Sequence, residues 1–166
     1  MAAEATLTQD DIIALVGAMP GVSVLTAGEE NGAPQAAWGD TFFSYDPGDP
    51  DAAGSPFPFA TIVTQDYAGF DTASGLDRDG VFRLNLAVGR DTFRDLLGYP
   101  PGAHRQRHAH IDYRATDELL PHPIYAAQAW VSILNPGPRT AARARALLAH
   151  AHGRARARQG RADAAS

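Results

Sequence analysis

The 166 residues include no cysteine, which excludes disulfides, thiolate catalysis, zinc ribbons and iron–sulfur clusters, since each needs sulfur that is absent. Lysine is missing too. Schiff-base chemistry and a P-loop lysine are therefore excluded, and arginine carries every fixed positive charge. No apolar run approaches the roughly 20 residues of a membrane helix, and Met1 to Leu7 lacks the basic and apolar regions of a signal peptide. A cytoplasmic protein without a membrane partner is the expectation. Cationic charge is scarcest in the first 77 residues, which carry twelve acidic side chains and no arginine before Arg78. From Arg78 onward fourteen arginines face seven acids, so a balance of −12 is followed by +7, giving −5 in all. Halves charged in this way attract each other, and this length is about one domain, so an acidic N-terminal half is expected to fold against an arginine-bearing C-terminal half.

What is present is globular in character: 45% apolar, 20% charged, with a mean hydropathy of −0.24. Thr8 and Asp11 form a capping box ahead of Ile12, Leu15, Val16 and Met19 at helical spacing, and Pro20-Gly21 ends that run. Strands are predicted over 22–27 and 36–45, paired as a hairpin through Asn31-Gly32, then over 57–64 and 81–88. The stretch 46–56 is dense in Pro, Gly and Asp and reads as a solvated loop. In the fourth strand Phe82, Leu84, Leu86 and Val88 alternate inward while Arg83 and Asn85 take the other face. Asp91 is placed to cap a second helix that Gly98 terminates. Residues 99–123 read as irregular, Ile124 to Leu134 as a fifth, buried strand, and a last helix starts near Pro138 or Arg139. On that helix Ala144, Leu147, Leu148, Ala151 and Ala155 share one face. The expected architecture is a two-layer α+β domain over 1–157: a mostly antiparallel sheet of about five strands, N- and C-terminal helices on one face, and a frayed tail at 158–166.

The segments Ala37-Trp38-Gly39-Asp40-Thr41-Phe42-Phe43, 57–64, Gly69-Phe70-Asp71-Thr72-Ala73-Ser74, Val81-Phe82-Arg83-Leu84-Asn85, Pro121-His122-Pro123-Ile124-Tyr125 and 130–136 resemble an uncharacterised bacterial family, number 6194 among the domains of unknown function. More distantly, the element order and the Arg83-x-Asn85 pattern are similar to the MmcQ/YjbR-like group of small α+β domains labelled CyaY-like DNA-binding proteins. The resemblance implies the fold. It brings no established reaction with it.

Candidate sites follow from residue type and spacing. His104, His108, His110 and Asp112 form the densest set of metal-ligand types, but a helical turn aligns His104 with His108 and an extended one His108 with His110. No metal is assigned to them, and no motif calls for a cofactor. His122 is fixed between two prolines and suits a positioned acid or base if Asp117, Glu118, Asp66 or Asp40 orients it. Asp40 lies between Trp38 and Phe42 on a predicted strand face, where desolvation raises a carboxyl pKa, unless Arg83 pairs with it. Arg83 and Asn85 offer planar donors for a carboxylate or phosphate.

These residues support a small-molecule-recognising domain with Asp40 and His122 as candidate catalytic groups and Trp38, Arg83, Asn85 and Tyr125 as ligand-binding groups, in a pocket on an open sheet face. An alternative is a DNA-binding or regulatory module using Arg139, Arg143, Arg145, Arg154 and Arg156, although an isoelectric point near 5.6 weighs against nucleic acid. A third is a homodimer whose charge halves meet between subunits.

Overall fold

The computed structural model describes residues 6–47 and 57–165. Most of the stretch 46–56 thus lies outside the described residues. Thr8 closes its capping box: its hydroxyl accepts from the Asp11 N–H at 3.0 Å and the Asp11 carboxylate accepts from the Thr8 N–H at 3.0 Å. From that cap α1 (Gln9–Gly17) turns Ile12 and Val16 into the core. The hairpin follows as β1 (Val22–Thr26) and β2 (Thr41–Tyr45), antiparallel, with Val24 opposite Phe43. The residues 36–40 expected to begin the second strand are instead taken up by a 3₁₀ turn at Gln35–Ala37 and the approach to β2.

β3 (Ala60–Val63) and β4 (Arg83–Ala87) extend the sheet, which ends with β5 (Leu119–Pro121) and β6 (Trp130–Leu134) in the order β1-β2-β3-β4-β6-β5. Every pairing between these six strands is antiparallel, with one isolated parallel bridge from Thr116 to Leu134. The count is six rather than about five, because Leu119–Pro121, within the stretch 99–123 expected to be irregular, forms a short strand; the apolar run 124–134 in turn does not stay extended. The His122 ring accepts the N–H groups of Ile124 and Tyr125, a 3₁₀ turn occupies Ala126–Gln128, and Ala129 adopts a left-handed φ of 66° before β6 begins. The residues ahead of that turn supply β5, a short strand along β6.

Three helices cover one face. α1 and α4 (Ala141–Ala165) lie with α2 (Arg90–Leu97), whose Phe93 is fully buried, over Phe43, Ile62, Leu84, Leu86, Val131 and Ile133. On α4 the packed residues are Ala144, Leu147, Leu148 and Ala151, with Ala155 half-buried at the margin. α2 starts at Arg90 behind Gly89, one residue before the predicted cap Asp91, and ends at Gly98 with φ 83°. The region 99–118 holds a single α-helical turn, α3 (His104–Arg107), between 3₁₀ turns.

The other face is not open as expected. The irregular chain 65–79 lies over it and builds a second, smaller core from Val63, Leu76, Leu120 and Leu134, with Tyr67, Val81 and Ile111 against them. Arg83 and Asn85, predicted to point outward, are each 1% exposed beneath this cover.

Candidate functional site

An arginine buried in an apolar setting needs every donor satisfied and its charge matched, since an unpaired buried charge costs several kcal/mol. Arg83 meets that demand with a two-pronged grip on Asp71: Nη1 to Oδ1 at 3.0 Å and Nη2 to Oδ2 at 2.5 Å. Nη1 also donates to Ser74 Oγ at 2.9 Å, and Nε to Asn85 Oδ1 at 2.8 Å. Asn85 passes the connection along the sheet, because its Oδ1 accepts from Ser132 Oγ at 2.8 Å and its Nδ2 donates to Thr61 Oγ1 at 3.0 Å. Register explains the line: Thr61, Asn85 and Ser132 stand opposite one another on β3, β4 and β6. Asp71 reaches Arg83 from a tight turn in which Tyr67 bridges to Asp71 and Gly69, at φ 75°, reverses the chain. The predicted partnership of Arg83 with Asp40 is thereby replaced by Arg83 with Asp71.

Asp40 is fully buried at the entrance to β2. One carboxylate oxygen accepts from the Thr64 N–H at 2.8 Å and its hydroxyl at 3.2 Å, and the other accepts from the Tyr67 hydroxyl. Burial raises the Asp40 pKa above the ordinary carboxylate value, against the pull of these donors and the charge of Arg83. Burial also raises the Tyr67 phenol, helped by the Asp40 carboxylate it serves. The pair is a structural clasp in which the phenol keeps its proton.

His122 is 3% exposed at the other end of the same face. Its Nδ1 accepts two backbone N–H groups, from Ile124 and Tyr125, each at 3.0 Å, which places the ring proton on Nε2. None of the expected orienting carboxylates bonds to it: Asp66 accepts from the Leu76 N–H, and Asp117 is committed to the start of α4. Burial, reinforced by the Arg83 charge, drives the His122 pKa down to about 2, so the ring is a neutral imidazole under all ordinary conditions. Among the described residues Nε2 has no hydrogen-bond partner, and no sealed side-chain atom lacks one, so Nε2–H reaches the surface.

Three aromatic rings gather there. The Tyr125 ring lies 4.9 Å from the His122 ring, Trp130 stands edge-on at 6.3 Å, and Phe70 meets Tyr125 at 6.4 Å. Phe70 is 58% and Tyr125 43% exposed. The strip between this cluster and Thr61 has half-buried Ala87 and Trp130 beside the polar row Thr61, Asn85 and Ser132.

The six residues expected to share a pocket are thus divided. Asp40, Arg83 and Asn85 belong to buried networks at one end, and His122 and Tyr125 form the exposed aromatic end. Trp38 stands apart with its indole N–H on the Ala33 carbonyl at 2.9 Å. Asp71, Ser74, Thr61 and Ser132 were not singled out from sequence. The signal available for them was Arg83 at an alternating strand position, which, once buried, requires an acid. His104 offers both ring nitrogens to tyrosines, Nδ1 to Tyr99 at 3.1 Å and Nε2 to Tyr113 at 3.2 Å. Among the described residues no group of three metal-ligating side chains gathers. Arg139, Arg143, Arg145, Arg154 and Arg156 are exposed on and just before α4, Arg154 being tied to the Ala87 carbonyl.

A family model described as "Family of unknown function (DUF6194)" matches residues 7–164. No curated protein matches. Among solved structures the chain is similar to the crystal structure of Deinococcus radiodurans protein DR2400, with a DUF419 domain, at a TM-score of 0.50 and 14% identity over 92% of this chain and 80% of that one. At that identity the likeness shows the fold. No helix among the described residues is long and apolar enough to cross a membrane.

Proposed function

We propose that this chain, which belongs to the DUF6194 family, recognises a small planar polar molecule on the sheet face between Thr61 and Tyr125. The carrying observation is His122: a buried imidazole, its Nδ1 held by two backbone amides, its Nε2 without a hydrogen-bond partner among the described residues, and its ring beside the exposed ring of Tyr125. A donor fixed in this way loses little entropy on binding an acceptor such as a carbonyl or ring nitrogen. Phe70 and Tyr125 supply stacking surface, and Thr61, whose oxygen already accepts from Asn85, has its own proton to give. The Asp71–Arg83–Asn85 network is the floor that fixes these groups.

This reading is recognition without acid–base chemistry at Asp40 and His122. Asp40 is sealed under Tyr67, and a ring with a pKa near 2 does not take up a proton at neutral pH. His122→Asn separates the two roles of the ring: the Asn oxygen can accept the same backbone N–H groups, but no donor remains at the Nε2 position. Titration with a library of planar heteroaromatic amides, followed by amide NMR, is expected to shift residues 61, 70, 122–125 and 130–132. His122→Asn and Phe70→Ala should abolish those shifts with the melting temperature nearly intact. Ligands that shift only residues elsewhere, or that bind His122→Asn as well as the unaltered protein, would remove the proposal.

A further inference from the structure

A cleft of about 980 Å³, separate from the strip above, opens where β4 turns into α2. Its walls come from four stretches of chain: 88–92, 100–102, 127–129, and one turn of α4 bearing His150 and Arg154. Two arginines, Arg90 and Arg154, line it with His150, against one acid, Asp91, whose carboxylate faces Arg94 at 3.8 Å. The hollow is therefore positive on a chain of net charge −5, and a concave low-dielectric wall concentrates that field.

Two side chains on α4 are held against the corner. His150 and Arg154 are four residues apart and so share a helix face. His150 Nε2 is 2.9 Å from the Val88 carbonyl and 3.1 Å from the Thr92 hydroxyl, and Arg154 Nη1 donates to the Ala87 carbonyl at 3.2 Å. The Arg154 guanidinium lies directly on Gly89: a Cβ there would stand 2.6 Å from Nε and 2.8 Å from Cζ. It is the φ of 88° that calls for glycine at position 89, and the bare Cα lets the guanidinium sit this close. Arg90 makes no hydrogen bond or ion pair among the described residues, and its side chain is exposed at the rim. Pro100, Pro101, Ala127 and Ala129 give the remaining wall an apolar character that suits a ring.

We propose that this cleft binds a phosphorylated small molecule of nucleotide size, with the phosphate between Arg90 and Arg154 and the remainder along the proline and alanine wall. Planar guanidinium forks match phosphate oxygens, and the volume falls at the upper end of the range for small-molecule sites. The probes are pyrophosphate, AMP and adenosine, titrated at low salt by calorimetry and amide NMR. AMP and pyrophosphate are expected to bind, to shift residues 89–92 and 127–129, and to weaken as salt rises; adenosine should bind far less well. Arg90→Gln, which removes no hydrogen bond or ion pair among the described residues, should weaken AMP about tenfold or more, the loss of one charge-assisted contact. Arg154→Gln, with its melting temperature followed in parallel, should weaken it similarly. No binding of either phosphate compound, equal binding of adenosine and AMP, or AMP affinity unchanged in Arg90→Gln would each overturn the assignment. Shifts confined to His122 and Tyr125 would overturn it too, in favour of the other face.

Discussion

Arg83 and Asp71 form a matched pair sealed from water, and such pairs are more costly to break than to do without. Asp71→Ala is expected to lose about 3 to 5 kcal/mol in urea unfolding, because it leaves the guanidinium buried and uncompensated. Arg83→Lys should also destabilise, since an ammonium cannot reproduce the fork that holds Asp71, Ser74 and Asn85 together. His122 has a folded pKa depressed from 6.5 to about 2, so its contribution is complete above about pH 6.5 and shrinks as pH falls. The unfolded chain takes up a proton there that the folded ring refuses, at a cost to the fold of up to about 1.4 kcal/mol per pH unit. Chemical denaturation between neutral and acid pH should show this slope, reduced in His122→Asn; His104, also lowered by burial, keeps part of it. An unchanged slope would mean that the ring is hydrated in the folded protein. The Arg83-x-Asn85 alternation was legible in the sequence as two residues on one face. Their burial was not, since it depends on the irregular turn at 67–71, which has no periodicity to read.

The elements with local signals were read most closely: the Thr8–Asp11 box, the stop at Gly98 and the apolar face of the last helix all stand where spacing put them. The run 124–134 misled because a continuous apolar stretch has no period to separate a strand from a buried turn followed by a strand. The start of α4 depends on a side chain distant in sequence. The Asp117 carboxylate accepts from the N–H groups of Gly137, Arg139 and Thr140 at 2.8 to 3.0 Å and from the Thr140 hydroxyl at 2.7 Å. Asp117 holds this position at a φ of 53°. These donors lower its pKa below the ordinary value, against the opposing effect of burial. Its stabilisation is therefore present above about pH 4 and lost as pH falls below the unfolded value. Asp117→Ala should cost about 1 to 2 kcal/mol, as loss of a helix cap does, whereas Asp117→Asn, which tolerates the left-handed backbone and still accepts, should cost less. Thermal unfolding of the two variants at neutral pH and below pH 4 checks both the size and the sign.

Across the whole molecule the charge asymmetry becomes a division of the sheet: β1 to β3 come from the acidic half and β4 to β6 from the arginine-bearing half, meeting at β3 and β4. Asp71 with Arg83, the salt bridge between the halves among the described residues, is buried, where screening barely reaches. Melting temperature should therefore change little between low and high salt; a steep fall would show that exposed ion pairs hold the halves together. The helices on one face leave the second face to the chain 65–79, which covers Arg83, brings Phe70 against Tyr125 and leaves Tyr125 and Thr61 only partly covered. That partial cover makes the central claim testable. A crystal of the protein soaked with planar heteroaromatic amides is predicted to show one seated against Phe70 and Tyr125 with an acceptor on His122 Nε2. Occupancy only at other surfaces, with Nε2 facing solvent, would contradict it.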